Sequence, residues 1–479
     1  MLHVKLDRDP AHHPYYLQIL EQIRSSILAG ELLAGSQLPP SRQLAIELGI
    51  ARRTVTIAYE ELCAQGYCLS RVGRGTVVAP IVQVNPPPPD RSLTGLPQWL
   101  TVAAPEYRAK DPAPQKSLIR FTPSFAQTDR LPFKAMQQAF QSVMQTAPTR
   151  FHEYDRNNGH PTLLAAICEH VLPDRGIQAT PDQILITNGS LHSSFLLARL
   201  FATYGGSISY GVPGYLAIPA NFTRQGIVGL PCPIDAEGMC LSEEARLARF
   251  HYVMPEHHFP TGVTLSPERR AAMLELADRH DALIIEDDYD SEFYFDRHPL
   301  PALKAIDRGE RVIYMGTFSK VLFNGLRLGY IVAHPTIIQQ LVDLRWQLDG
   351  ITSLLLQLWL AELLDSGSVD RHLRRMRVHH RKKRNLIADY LRRDFPNWQW
   401  QLPSGGLQFW IKLPSAGSTD AIVRKWLERD VQILSGGDYY DREAFPLGNR
   451  DSPVHDDRLI LGFGAVTEAR IHEAFDRLK

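Results

Sequence analysis

Between Pro80 and about Ser117 the chain loses apolar periodicity and carries Pro86-Pro87-Pro88-Pro89, then Pro97, Pro105, Pro112 and Pro114. Proline fixes φ and lacks a backbone N–H, so such a run favours extended, semi-rigid polyproline conformation and cannot bury a core. Folding has to happen on either side of it. At 479 residues, with 44% hydrophobic and 22% charged side chains, the chain is too long for one core and ordinary enough for folded domains. The expected division is a small domain over residues 12–80, a proline-rich linker over 81–117 and a large body over 118–479.

Charge places no global field on the molecule: 52 Lys+Arg balance 52 Asp+Glu, so contact with nucleic acid must come from a local patch. Five cysteines, an odd number with no Cys-x-x-Cys pair, fit a reducing cytoplasm better than a disulfide framework. No stretch reads as a signal peptide or as a membrane-spanning run of about 18 uncharged apolar residues, so a cytoplasmic protein is expected.

In the small domain, Tyr16, Leu17, Leu20, Ile23 and Ile27 recur at helical spacing over residues 15–28, and Gly30 is a stop signal. Leu38-Pro39-Pro40-Ser41 supplies a turn and an N-cap for a second helix from Arg42 that Gly49 ends. Arg52-Arg53-Thr54 opens a third, running towards Gln65. Two strands then flank Arg71-Val72-Gly73-Arg74-Gly75, a tight basic hairpin. The order is that of a winged helix-turn-helix, whose recognition helix enters the major groove by its first turn. Arg52, Arg53, Thr54, Thr56 and Tyr59 are then expected to face bases and phosphates, with Ser41, Arg42, Arg71, Gly73 and Arg74 at the DNA backbone. A small helical domain with merely solvated arginines is the alternative. Leu38-Pro-Pro-Ser-Arg42-Gln-Leu-Ala, Arg53-Thr-Val and Gly73-Arg-Gly-Thr76 closely resemble the GntR family of bacterial winged-helix regulators.

The body alternates short apolar strands at residues 183–187, 283–286 and 311–315 with helical segments, which predicts an α/β fold with a parallel sheet covered by helices on both faces. Its site belongs at the carboxyl ends of the strands. Thr187-Asn188-Gly189-Ser190-Leu191-His192 joins a strand to a helix, so its backbone amides are expected to cup an anion. Ile285-Glu286-Asp287-Asp288-Tyr289-Asp290 ends another strand with carboxylates and a phenol. Gly316-Thr317-Phe318-Ser319-Lys320 is followed by Arg327, seven residues on. A lysine flanked by hydroxyls and an arginine suits an aldehyde cofactor that carries a phosphate, and pyridoxal 5'-phosphate is the expected one. Lys320 would form the Schiff base, its pKa lowered by burial near Arg327, while Thr317, Ser319 and Arg327 complete the phosphate grip. An aspartate at the pyridine nitrogen and a tyrosine at the ring oxygen would keep the cofactor an electron sink. A metal site or an acidic loop is the competing reading of the carboxylates; no metal is expected, because no histidine cluster lies beside them.

These motifs, with Pro260-Thr-Gly-Val-Thr264, resemble fold-type-I aminotransferases, and their combination with the head resembles the MocR subfamily of GntR regulators. The resemblance implies that Asp287 takes the pyridine nitrogen and Tyr289 the ring oxygen, that Tyr215 stacks on the ring, and that His258 sits nearby. It implies a head-to-tail homodimer, promoter DNA as one partner, and an amine, amino acid or B6 vitamer as effector acting through Lys320. An active aminotransferase with an appended DNA-binding head is the alternative. Departures from the pattern are Ser190-Leu191-His192 in the phosphate turn, Asn324 where proline is common, and Ala217 where some relatives carry an arginine. Residues 433–440, where a substrate-carboxylate arginine is expected, hold none, and Arg458 is the substitute. The basic run from Arg371 to Arg384 is expected to be a solvated helix face with Leu373, Met376 and His380 inward.

Overall fold

The computed structural model describes residues 4–7, 13–71, 75–80, 117–146, 149, 151–154, 156–414, 419–440 and 457–479. The chain divides into two compact units, Met1–Lys110 and Asp111–Lys479. Nearly all of the linker expected over 81–117 lies outside the described residues.

In the head, α1 (Tyr15–Leu28), α2 (Ser41–Leu48) and α3 (Arg52–Ala64) precede β1 (Cys68–Arg71) and β2 (Gly75–Val78). The two strands pair antiparallel with Cys68 opposite Val78 and Arg71 opposite Gly75. One stripe of α1, Ile19, Ile23 and Ile27, closes on Leu44 of α2 and on Val55, Ala58 and Leu62 of α3 to form the core. Gly49 ends α2 at φ +66°, a left-handed conformation that costs glycine nothing. Ser41, expected as the cap of α2, is instead its first residue. Pro40 takes the cap position, where an extended conformation is set by its ring.

The body begins with β3 (Ile119–Arg120). Its main sheet comprises β4 (Ile184–Thr187), β5 (Ser207–Val212), β6 (Val228–Asp235), β7 (Gly238–Met239), β8 (Phe250–Val253), β9 (Leu283–Asp288), β10 (Val312–Thr317) and β11 (Gly329–Val332). Their order is β4-β11-β10-β9-β8-β5-β6-β7. The pairings from β10 through β9, β8 and β5 to β6 are parallel, as the alternating pattern predicts. The expectation of a parallel sheet needs correcting at β11, which runs antiparallel to both β10 and β4. The cause is chain length: the connection from Thr317 to Gly329 is too short for a helical crossover, which takes a dozen residues or more, so the chain must turn straight back. That short return carries Ser319, Lys320 and Arg327. Both faces of the sheet are covered, with Ile184 and Ile186 of β4 in one apolar cluster and Leu185 in another.

A second sheet follows, with β12 (Gln399–Trp400), β13 (Gln408–Lys412), β15 (Leu434–Ser435) and β16 (Arg458–Gly462) in the order β12-β13-β16-β15. Between them in sequence, β14 (Val431–Gln432) returns to pair with β3. The basic run lies on the helix Ser368–Asp394 and needs a second correction. Leu373, Met376 and His380 are buried as expected, but so are Lys383 and Arg384. Arg384 pairs with Asp296 and lies 5.1 Å over the Phe295 ring. Among the described residues, no helix is long and apolar enough to cross a membrane.

Candidate functional site

At the head, the first turn of α3 presents Arg52 and Arg53 to solvent, with Thr54 and Thr56 half-buried behind them. Arg52 reaches back to α2, its Nε donating to Ser41 Oγ at 3.3 Å, and Arg42 on α2 is exposed. Thr56 Oγ1 donates to the Arg52 carbonyl at 3.1 Å, so that hydroxyl is engaged within the helix. Tyr59 does not belong to the surface. It is 6% exposed, packs in the core, and donates its hydroxyl to the Pro39 carbonyl at 2.9 Å, which ties α3 to the turn before α2. Helical periodicity explains this, because Tyr59 follows Val55 by four residues on the inward face. Gly73, Arg74 and the Arg71 side chain lie outside the described residues.

In the body, the strand ends build a cavity of about 360 Å3. Strand β9 distributes its carboxylates by alternation. Glu286 accepts from the backbone N–H groups of Leu303 and Lys304 at 2.8 and 2.9 Å. Asp288 accepts from Arg175 Nε at 2.6 Å and from the Tyr314 hydroxyl at 2.9 Å. Asp290 pairs with His257 at 2.8 Å. Of these acids, only Asp287 lines the cavity, its Oδ2 accepting from the Tyr252 hydroxyl at 2.8 Å. The acidic cluster thus consists of three structural carboxylates and one available group. Burial raises Asp287 to about 7, against the Tyr252 hydrogen bond, so it is a carboxyl group that a cationic N–H partner would stabilise in its charged form.

Lys320 lines the same cavity, with its pKa lowered by burial and by Arg327, while Asp290 and Asp287 oppose the shift. Arg327 sits at φ +54° at the end of the short return and sends Nη2 to the Asn188 carbonyl at 3.0 Å. There it covers Gly189, where any Cβ would lie 3.0 Å from the guanidinium. Gly189 itself is at φ +88°, so the chain turns sharply from β4 into the helix Ser190–Ala202, three residues earlier than the helix expected from the sequence. Ser190 and Leu191, at that helix's N-terminus, line the cavity beside Thr317 and Ser319. Thr317 Oγ1 donates to Ser319 Oγ at 3.1 Å, which sets both hydroxyls on the same side.

Tyr215 and Tyr289 close the remaining sides. Phe259 meets the two rings edge-on at 6.0 and 6.3 Å, and Gln408 Nε2 donates to the Tyr289 hydroxyl at 3.2 Å. The structure therefore gathers Ser190, Leu191, Tyr215, Asp287, Tyr289, Thr317, Ser319, Lys320 and Arg327 around one space, with Gly189 immediately behind Arg327. Two expected members stand elsewhere. His258 is buried behind the wall, its Nε2 donating to the Pro213 carbonyl at 2.8 Å, so it supports the turn that carries Tyr215. Desolvation pushes it down to about 4, and it stays neutral. Arg458 does not reach the cavity. It opens β16 opposite Lys412 and lines a separate groove with Lys412 and Arg297, its Nε 3.6 Å from Asp457. Its place along the strand decides this: Arg458 is the first residue of β16, and Ile460, two residues further along the same face, is the one that packs in the cluster with Tyr289 and Phe259.

Sequence reasoning missed the wall made by Thr122, Pro123, Ser124 and Phe125, and it missed Leu434 and Tyr439 as lining residues. No local motif marks residues 122–125, which arrive from the far end of the chain. Asn324, noted in the sequence only for replacing proline, also lines the space. Among the described lining residues, Lys320 and Arg327 are the cations and Asp287 the acid.

The volume lies in the range of small-molecule sites, about 300–1,000 Å3, and the donor set fits pyridoxal phosphate. It offers an anion cup of helix N-terminus, two hydroxyls and a guanidinium, a buried acid that favours a cationic partner, a phenol, and an amine biased towards its neutral form.

Fold and site define a class: a winged-helix head joined to an aminotransferase-like body. The aminotransferase class I and II family matches residues 122–443, and the gntR family of bacterial regulatory proteins matches residues 15–78. The probable rhizopine catabolism regulatory protein MocR of Rhizobium meliloti is 34% identical over 82% of this chain and 80% of its own length. The HTH-type transcriptional regulator TauR of Rhodobacter capsulatus is 31% identical, covering 88% and 89%. The body is similar to LysN, the α-aminoadipate aminotransferase of Thermus thermophilus, solved with N-(5'-phosphopyridoxyl)-L-leucine. The TM-score is 0.67 at 27% identity, over 76% of this chain and 91% of that one. The chain belongs to the MocR subfamily of GntR-family DNA-binding transcription regulators.

Proposed function

We propose that the body holds pyridoxal 5'-phosphate at Lys320, and that an amine, amino acid or B6 vitamer entering the cavity changes how the head engages promoter DNA. The observation that carries this reading is the convergence of Lys320, Asp287 and the Gly189–Arg327 anion cup on one space. When bound, the cofactor supplies an aldehyde that captures primary amines reversibly. The backbone amides at Gly189, Ser190 and Leu191 would hold the phosphate with Thr317, Ser319 and Arg327. Asp287 would hold the pyridine nitrogen, Tyr289 the ring oxygen and Tyr215 the ring face. Desolvation raises the fraction of Lys320 in the neutral, nucleophilic form, and Asp290 and Asp287 keep that bias moderate.

In the head, Arg52 and Arg53 would meet bases and phosphates and Arg42 the DNA backbone, with Thr54 and Thr56 alongside. The molecule would act in the cytoplasm as a head-to-tail homodimer, as its family membership suggests. An effector can shift the head only by as much as it prefers one arrangement over the other. The test is a titration of the purified protein with pyridoxal phosphate and then with a panel of amines, amino acids and vitamers, followed by absorbance and by binding to DNA from its own upstream region. A visible band that one panel member alters together with DNA affinity supports the reading. A band that changes while DNA affinity stays constant with every member contradicts the regulatory half. Sustained turnover with a keto acid, again without effect on DNA, would identify an enzyme instead.

A further inference from the structure

The lysine that sequence placed on a solvated face is among the most buried side chains in the body. Lys383 is 0% exposed, and its partners are an amide and two backbone carbonyls, not carboxylates. Nζ donates to Gln127 Oε1 at 2.9 Å, to the Gly464 carbonyl at 2.7 Å and to the Val466 carbonyl at 3.0 Å. His379, one helical turn earlier, has Nε2 2.9 Å from the same Gln127 Oε1. A buried ammonium is costly, and it persists where its hydrogen bonds are well made. Desolvation pushes Lys383 down to about 7, with Asp129 and Glu468 opposing and Arg130 adding to the shift.

What Lys383 grips is the end of the strap that makes one cavity wall. Thr122, Pro123, Ser124 and Phe125 line the cavity, and Gln127 follows two residues later. The strap's other end is fixed where Gly462 N–H donates to the Phe121 carbonyl at 3.0 Å. Between these points the strap runs hard against two glycines: a Cβ at Gly462 would collide with the Thr122 carbonyl and Pro123, and one at Gly464 with the Phe125 carbonyl. Gly464 thus serves twice, leaving room for the strap and offering its carbonyl to Lys383. The phosphate cup touches this seat at one long contact, the Ala126 N–H donating to Asn324 Oδ1 on the short return at 3.5 Å, while Gly189, Arg327 and the helix Ser190–Ala202 are held to each other through the Arg327–Asn188 bond.

We propose that Lys383 is a positioning residue for the cavity: its ammonium seats the strap 122–127, and the seated strap sets how slowly a cavity ligand leaves. The second half rests on the pyridoxal phosphate reading; the first does not. Removing the ammonium should therefore loosen one wall and leave the anion cup intact.

The experiment is Lys383→Met, close in volume and uncharged, compared with the native full-length chain. Amide hydrogen exchange is read first, without any ligand. The strap amides at 122 and 124–127 should exchange about tenfold faster or more, as loss of charge-assisted hydrogen bonds permits, while the turn at Gly189 and Ser190 keeps its native rate. Dissociation of pyridoxal phosphate, followed by absorbance after dilution, should then be several-fold faster. Gln127→Leu cuts the same contact from the strap side, should reproduce both effects, and serves alone if Lys383→Met fails to fold. The double variant should add little to either single one. Unchanged strap exchange, or an equal rise at Gly189, overturns the seating. Faster strap exchange with an unchanged dissociation rate overturns the strap's control of residence. A native chain that takes up no pyridoxal phosphate overturns the functional reading and with it the residence half, and the exchange result still decides the seating.

Discussion

Arg52 and Arg53 stand in solvent at the first turn of α3, whereas Asp287 is 5% exposed and Lys320, which lines the same cavity, is half-enclosed. The difference reflects the partner. DNA is a large, hydrated polyanion, so a head that reads it needs exposed cations on a rigid helix end, and its core only has to hold that end still. A small cofactor, as proposed for the body, must be taken out of water, and the body's cavity is lined by groups whose protonation is shifted by burial, held by neighbours from distant parts of the chain. The head's chemistry is thus written in a few consecutive residues, and the body's in an assembly.

If the two regions are independent in this sense, damage to one leaves the other intact, and four outcomes break or sharpen that claim. The largest effect is expected from Lys320→Ala, which should abolish the visible band with pyridoxal phosphate while the head keeps its fold, seen in unchanged exchange protection over α1 to α3. Loss of head protection would show that the units fold together. Next is Arg53→Ala, expected to weaken binding to the upstream DNA about tenfold or more at moderate salt and to lower the salt slope by about one, with cofactor absorbance unchanged. Equal affinity would remove Arg53 from the interface.

The third outcome concerns pH. Lys383 has a folded pKa lowered to about 7, below its unfolded value, so the unfolded chain holds more protons above that pH and native stability gains with rising pH across the window. Below it, both states are charged and the cost of burying the ammonium is felt in full. The Tm of Lys383→Met relative to the native chain should therefore fall as pH rises from about 6 to about 9. A flat difference would mean that the buried amine does not titrate there. The smallest effect is expected at Tyr59→Phe, which removes the bond to the Pro39 carbonyl. It should cost about 1 kcal/mol of head stability, read by denaturant unfolding, with no change in sequence preference on DNA. An altered preference would return Tyr59 to the interface.

Legibility followed locality. Helix α1 was readable to the residue because its apolar stripe and flanking turn lie within one window, and the motifs at Asp287 and Lys320 were readable because each sits on one strand end. Tyr59 was misjudged although the information was present: four residues after Val55, it falls on the inward face. Lys383 is a similar case, seven residues after the buried Met376 and four before the buried Ile387, so its helical position outweighed its charge. His258 and Arg458 failed for another reason. Where they point depends on how the Pro213 turn and the register of β16 are set in three dimensions. The strap at 122–125 had no sequence signal, because a wall made of backbone and small side chains is defined by what it packs against.

The central claim, that one amine at the return between β10 and β11 is the covalent seat of a vitamin-derived cofactor, is tested most directly by borohydride reduction of the protein incubated with pyridoxal phosphate, followed by peptide mass mapping. The account predicts a single phosphopyridoxyl adduct, on Lys320. An adduct at another lysine, or none, would contradict it.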